Sequence, residues 1–261
     1  MKKPRQNFCF AFAILAVITM AGCSSAPPAD VNSFAAPTQL TARLASPIDI
    51  DLKWKHNAAF AAGNFVEYSP EANDDFVIIE ALPPGATSYR HPHLLPRTRF
   101  VFRIVPFFGP ASGTAGIRTG AEGPQQPPSS AKISRTNSLG LGIKKSIRSM
   151  ATFAAAAPTD FRATLIPPAG VKLDWVDHAS DADGDLLEVK PEGSRDFKVS
   201  AFLPPHTTTL TSYGYPFNTK FAFRVRPVFY GPPSNLAEQT TGNDPSFSPG
   251  PWIKSEPQKN P

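Results

Sequence analysis

Two cysteines in 261 residues, Cys9 and Cys23, leave little from which to build a disulfide framework. The chain also lacks a nucleophile elbow, a phosphate-cradling glycine loop and any familiar His-rich metal spacing, which removes the common hydrolase, nucleotide and zinc signatures. The closest approach is His91-Pro92-His93, and the corresponding positions of the duplication described below are Ser212 and Gly214. Two turn histidines are the simpler reading. Amphipathic helical spacing is missing from both copies of that duplication as well, so they read as all-β. Charge of one sign is scarce: the formal +5 includes Lys2, Lys3 and Arg5, and removal of the N-terminal leader leaves +2. That is too little to argue for nucleic acid.

What is present begins with an address. Lys2, Lys3 and Arg5 precede an apolar run from Phe8 to Ala21, and Met20-Ala21-Gly22-Cys23 follows. A charged start, a short apolar stretch and small residues before a cut site describe a signal peptide over residues 1–22. The run is too short for a good spanning helix. Cysteine directly after Ala-Gly resembles the bacterial lipobox, which implies lipid attachment at Cys23 and a lipoprotein of the cell envelope. Ser24 in the next position favours the outer membrane in a two-membrane bacterium. With Cys9 lost and Cys23 acylated, no thiol remains for pairing. Residues 23–36 then form a tether.

The rest is organised by a repeat. A shift of 121 residues lays 37–108 on 158–229 without a gap, and 25 of those 72 positions are identical. Such a fixed-period match is an internal duplication. In the first copy Ile48, Ile50, Leu52 and Trp54 alternate with Asp49, Asp51 and Lys53, the mark of a strand with one buried face. Val171, Leu173 and Trp175 keep the pattern in the second. Phe100, Phe102 and Ile104 alternate likewise, and recur as Phe221, Phe223 and Val225. Shorter β-like runs lie between, over 65–68 and 76–82, punctuated by Gly63-Asn64, Pro70 and Pro83-Pro84-Gly85. Short strands with regular turn signals predict an antiparallel sandwich or barrel per copy.

These residues resemble the fibronectin type III domain. The likeness rests on Pro37-x-x-Leu40-x-Ala42, on Trp54, on Phe65-Val66-Glu67-Tyr68-Ser69, and on Leu94-x-Pro96-x-Thr98-x-Phe100-x-Phe102-Arg103-Ile104. It implies two immunoglobulin-like β-sandwiches, over 37–120 and 158–242, joined by a flexible linker at 121–157. Phe100 and Phe221 stand where the family usually has Tyr. Fold resemblance of this kind says little about function. The linker is rich in Pro, Ser, Gly and Ala, and its Lys132, Arg135, Lys144, Lys145 and Arg148 face only Glu122. The tail, 243–261, carries five prolines and little apolar material, Trp252 being the residue there most costly to leave in water, and is expected to be disordered.

Three groups of residues are candidates for function besides Cys23. Asp181-Ala182-Asp183-Gly184-Asp185 has alternate carboxylates and a Gly-assisted turn, as calcium loops do, with Glu192 at the twelfth position. Leu186 occupies the place of the required Gly, and an exposed acidic hairpin turn is the plainer reading. Pro106-Phe107-Phe108-Gly109-Pro110 matches Pro227-Val228-Phe229-Tyr230-Gly231-Pro232, and in such Pro-stiffened loops the aromatics Phe107, Phe108, Phe229 and Tyr230 lose little entropy on binding; equally, they cap the core. Glu67 and Arg103, and Glu188 and Arg224, are expected to pair across neighbouring strands. The residues together describe a non-enzymatic, lipid-anchored binding, adhesion or scaffold module, whose partners are the membrane and a protein or polysaccharide. The alternative is a carbohydrate-binding accessory protein, for which exposed coplanar aromatics would be needed.

Overall fold

The computed structural model describes residues 34–70, 75–121 and 154–243. Fourteen strands run through these residues. In the first copy β1 (Thr38–Ser46), β2 (Asp49–Lys55) and β5 (Ser88–His91) form one sheet in the order β1-β2-β5. Facing it are β4 (Val77–Leu82), β3 (Gly63–Ser69) and β6 (Arg99–Phe108), paired in that order. The second copy repeats this with β8 (Thr159–Ile166), β9 (Gly170–Val176) and β12 (Thr209–Ser212) against β11 (Lys198–Leu203), β10 (Gly184–Pro191) and β13 (Lys220–Tyr230). The expectation of an all-β chain folded as sandwiches holds.

Each sandwich has the core its alternation predicts. Ile50, Leu52 and Trp54 of β2 meet Val66, Phe100, Phe102 and Ile104. In the second, Val171, Leu173 and Trp175 meet Leu187, Phe221, Phe223 and Val225. Burying each large side chain contributes about 1.5–3 kcal/mol, so these aromatic-rich sets dominate the stability of domains without disulfides.

The seventh strands depart from the expected boundaries. β7 (Ala115–Arg118), encoded by the first copy, pairs with β13 of the second through Phe223↔Ala115 to Lys220↔Arg118. β14 (Ala237–Thr240), encoded by the second, pairs with β6 of the first through Ala237↔Phe102 to Thr240↔Arg99. The exchange is reciprocal. Beyond it, β6 and β13 pair directly at Phe229↔Phe108 and Tyr230↔Phe107, which joins both halves into one eight-stranded sheet. The first sandwich is therefore completed by 237–242 and the second by 115–120.

Local chemistry explains why the last strand does not fold back. Gly109 (φ 137) lies so close to the Pro227 carbonyl that a Cβ there would collide with it, and Pro110 follows. Gly231, Pro232 and Pro233 do the same job at the other crossing. These residues stiffen an extended path instead of a tight hairpin. Ser112 and Ser234 then lock the two crossings. The Val225 amide donates to Ser112 Oγ at 3.1 Å, and the Ile104 amide to Ser234 Oγ at 3.0 Å.

The segment expected to link the domains does not connect the two sandwiches. Gly120 N–H already donates to the Pro168 carbonyl of the second sandwich at 2.8 Å, and β8 of that sandwich follows residue 157. Both ends of 121–157 thus belong to one sandwich, and its residues 122–153 lie outside the described ones. The chain crosses between sandwiches at the two short passages around 109–114 and 231–236.

Candidate functional site

The candidate loops after the long strands lie in the seam between the copies. Phe108 and Phe229 are buried with Ala58, Ala61, Ala156 and Ala179, and Phe34 packs on Phe108 with ring centroids 4.9 Å apart. Phe107 stacks on Phe65 at 4.4 Å, in a cluster with Val105, Leu186 and Val228. Tyr230 borders that cluster, 5.3 Å from Phe65, and burial pushes its hydroxyl pKa up. These four aromatics form intramolecular core, and the open binding loop expected of them is corrected accordingly. The same seam explains why β3 is buried on both faces: its outward side chains meet those of the other copy.

The cross-strand pairs form as expected and are much drier than a surface pair. Glu67 lies opposite Arg103, with Arg103 Nε donating at 2.6 Å, and Arg224 Nε donates to Glu188 at 2.5 Å. The two glutamate side chains are only 4% and 7% exposed. Burial holds the Glu67 carboxyl above its ordinary pKa, against the pull of Arg103. Phe76 and Phe197 cover the guanidinium groups at 4.0 and 4.1 Å. The second copy adds Arg226, where the first has Val105. Arg226 reaches Glu188 at 3.4 Å and also donates to the Gly109 carbonyl, and burial lowers its pKa.

The three aspartates proposed for calcium have separate environments. Asp181 is exposed in the turn. Asp183 accepts the Tyr230 amide proton at 2.9 Å, which ties the turn to the end of β13. Asp185 is in β10 and 1% exposed. Among the described residues no group of three His, Cys, Asp or Glu side chains comes together as a metal-ligand set. The strand separates the three aspartates, since Gly184 starts β10. Cys23 and Trp252 lie outside the described residues.

A polar cluster around Asp185 corresponds to no sequence motif. Both of its carboxylate oxygens are buried, and neither bonds to another side chain. Burial, and then the nearby charge of Asp177, push its pKa up to about 7, while His206 and the Thr207 amide pull it down only in part. Asp177 pairs with His206 Nδ1 at 2.9 Å. His206 holds φ 62, a left-handed conformation that costs a residue with a Cβ, and the equivalent residue of the first copy is Gly85 at φ 81. The signal was available in the duplication, as a histidine set on a turn glycine. Thr159 Oγ1 lies 2.9 Å from His178 Nε2, yet the first copy makes the same bridge from Asn57 to Thr38 at 2.9 Å. That contact fastens the first strand of each sandwich and is not a nucleophile–base pair.

The exposed end of the second sandwich carries a different kind of feature. A shallow hollow on the outer sheet face is bounded by Gly116 of β7, Lys190, Glu192, Gly193, Ser194 and Lys220. Glu192 is held by Arg118 at 3.3 Å.

No protein-family model matches the chain, and no curated protein matches it. Solved structures similar to it include an Fn3-like protein from Clostridium thermocellum, 20% identical over 28% of this chain and 76% of that one, with a TM-score of 0.26. The FN3 domain of human collagen XX is 19% identical over 33% of this chain and 85% of its own, again with a TM-score of 0.26. A two-domain fibronectin type III segment from chicken tenascin is 12% identical over 80% of this chain and all of that one, at the same TM-score. Superpositions this loose carry no argument about role, and the fold rests on the strand order described above.

Proposed function

We propose that this protein is a non-enzymatic, lipid-anchored scaffold or binding module of a bacterial cell envelope, attached through Cys23. Support for a scaffold comes from one observation, the reciprocal exchange of β7 and β14, which makes two sandwiches into one body. Both described chain ends then belong to the first sandwich. Asn235 joins β14 to β1 through Leu40, with bonds of 3.0 Å in each direction, and Gly242 N–H donates to the Pro47 carbonyl at 2.7 Å. The strands lie side by side and run the same way. Residue 34 therefore leaves at the seam, beside Phe108, while residue 243 leaves at the far end of that sandwich. A tether and a tail at opposite ends of one rigid unit suit a protein that holds a partner at a fixed distance from a membrane.

Anchoring is supported by the charged leader, its apolar run and the Ala-Gly-Cys junction. Two acyl chains give stable attachment where a single chain is marginal. The test is Cys23→Ser in the full chain: the protein should leave the membrane fraction and lose the lipid mass. An unchanged membrane fraction with an unmodified mature mass would defeat the reading. Capture of partners from solubilised envelope by the wild-type chain then identifies the ligand. The carbohydrate reading requires exposed coplanar aromatics; Trp54 and Trp175 are each 5% exposed, and Phe60, at 52%, is the one strongly exposed ring among the described aromatics.

A further inference from the structure

The duplication supplies a comparison for the hollow on the second sandwich. Because the second copy has one extra residue before its crossing, Glu238 of β14 stands where Gly116 of β7 stands. In the first sandwich Glu238 lies on the outer sheet face and takes both arms of Arg99, with Nε to Oε1 at 2.5 Å and Nη2 to Oε2 at 2.6 Å. This is a bidentate pairing of a planar cation with an oxyanion. In the second sandwich the cation position is kept as Lys220 and the carboxylate is gone. An added Cβ at Gly116 would meet nothing nearer than the Phe221 carbonyl oxygen, 3.9 Å away. The place that the first sandwich fills from within is open in the second.

Charge around the place has changed in the same direction. Lys190, Arg195 and Lys198 of the second copy replace Ser69, Asp74 and Val77, while Asp75 is kept as Asp196. Arg195, Lys198 and Lys220 are exposed, and Lys190 extends over the Phe197 ring at 5.1 Å. Glu192 is the opposing carboxylate at the rim, and Arg118 occupies it. The turn at Gly193 (φ 83) has no neighbour that a side chain would strike, so the approach from solvent is open.

We propose that this hollow is an oxyanion-binding site, in which Lys220 and Lys190 receive a phosphate-type group that takes the place Glu238 fills in the first sandwich. The group comes either from an anionic lipid headgroup or from free phosphate. A lysine binds such groups as a point charge, and basic side chains near an anionic bilayer are drawn to it. The headgroup source rests on the membrane location proposed above, whereas the site itself does not.

The decisive variant is Gly116→Glu, which gives the second sandwich the carboxylate that the first already tolerates. The full chain carrying Cys23→Ser is used throughout, so that attachment by acyl chains does not enter. Inorganic phosphate is titrated while the amide signals of Gly116, Gly193 and Lys220 are followed. Cosedimentation is measured with phosphatidylcholine vesicles and with vesicles that also contain phosphatidylglycerol. Saturable phosphate shifts, or binding to the anionic vesicles that falls with salt, are expected, and Gly116→Glu should weaken either about tenfold or more. Lys220→Glu should do the same with the melting temperature unchanged. Phosphate shifts without vesicle binding assign the site to free phosphate. Equal binding to neutral vesicles, wild-type binding by Gly116→Glu, or no response to either probe overturns the proposal. Loss only when Lys132, Arg135, Lys144, Lys145 and Arg148 are neutralised, with Gly116→Glu unaffected, overturns it too.

Discussion

The two sandwiches share a core and differ where the core ends. Trp54 and Trp175 occupy the same place at the same 5% exposure, and Phe102 and Phe223 are both fully buried. At the start of the third strand, however, Asn64 of the first copy becomes Asp185 of the second, both buried and neither hydrogen-bonded to another side chain. His56 becomes Asp177, and Gly85 becomes His206. On the outer face Val105 becomes Arg226 beside the Glu188–Arg224 pair. Apolar packing tolerates little change at fixed volume, so it is retained after duplication. The polar positions at the margins are free to differ, and Asp177, Asp185 and Arg226 put carboxyl and guanidinium groups where the first copy has none. This divergence matters because neither sandwich is independent: each is finished by a strand from the other.

That mutual dependence gives the largest expected effect. Ending the chain at Ser234 removes β14, which the second copy encodes and the first sandwich uses. The first sandwich should lose stability on the order of 5 kcal/mol, from ladder bonds at about 1 kcal/mol each and the buried Thr241 hydroxyl that bonds the Leu95 and Thr98 carbonyls. Fluorescence-monitored melting of chains with Trp54 or Trp175 as the single tryptophan reads each sandwich apart, with Trp252 replaced in both. A transition lowered at Trp175 and unchanged at Trp54 would mean that each copy keeps its own last strand.

A second comparison concerns the buried ion pairs. Removing one partner of a buried pair costs about 3–5 kcal/mol, because the charge left behind has no compensation. Glu67→Gln strands Arg103 alone, and that side chain is 25% exposed. Glu188→Gln strands Arg224 and also Arg226, which is only 11% exposed. The second substitution should therefore be costlier, by about 1–2 kcal/mol in chemical denaturation. Arg226→Val, which restores the residue of the first copy, should bring the two costs together. Equal costs before that change would show Arg226 to be satisfied by the Gly109 carbonyl alone.

Much of this architecture could be read from the residues, and the part that could not has a common cause. Alternation identified the strands and the inward faces, since it reports local geometry and burial within one sheet. The ion pairs followed from the same register. The exchange was invisible because a last strand looks alike whichever edge it joins, and only the Gly-Pro crossings at Gly109 and Gly231 hint at an extended path. The aromatic loops were ambiguous for the same reason: Phe108 is a good anchor for a partner, and here the partner is the other half of the chain. Asp183 and Asp185 kept the spacing of a calcium loop while one bonds backbone and the other begins a strand. Side-chain spacing alone does not distinguish these.

The last comparison sets Asp185 against Asn64 through pH. Asp185 titrates at about 7 in the folded chain, against an ordinary value of 3.8. The folded state thus holds this proton more tightly than the unfolded state, and stability falls as pH rises through the interval between those values. Below about pH 4 the protonated carboxyl imposes no charge penalty in either state. Above about pH 7 the penalty is complete, and a displacement of this size corresponds to no more than about 4 kcal/mol. Asp185→Asn should remove this slope and leave the second sandwich more stable than wild type at pH 8, with little difference at pH 4. The reverse exchange, Asn64→Asp, places a carboxyl in a site that is fully buried but has His56 where Asp177 stands, so a smaller penalty is expected there. Single-tryptophan melts of both variants between pH 4 and 8 measure the two slopes. If Asp185→Asn melts like wild type at every pH, the carboxylate is solvated in the folded protein, and the buried charge does not distinguish the copies.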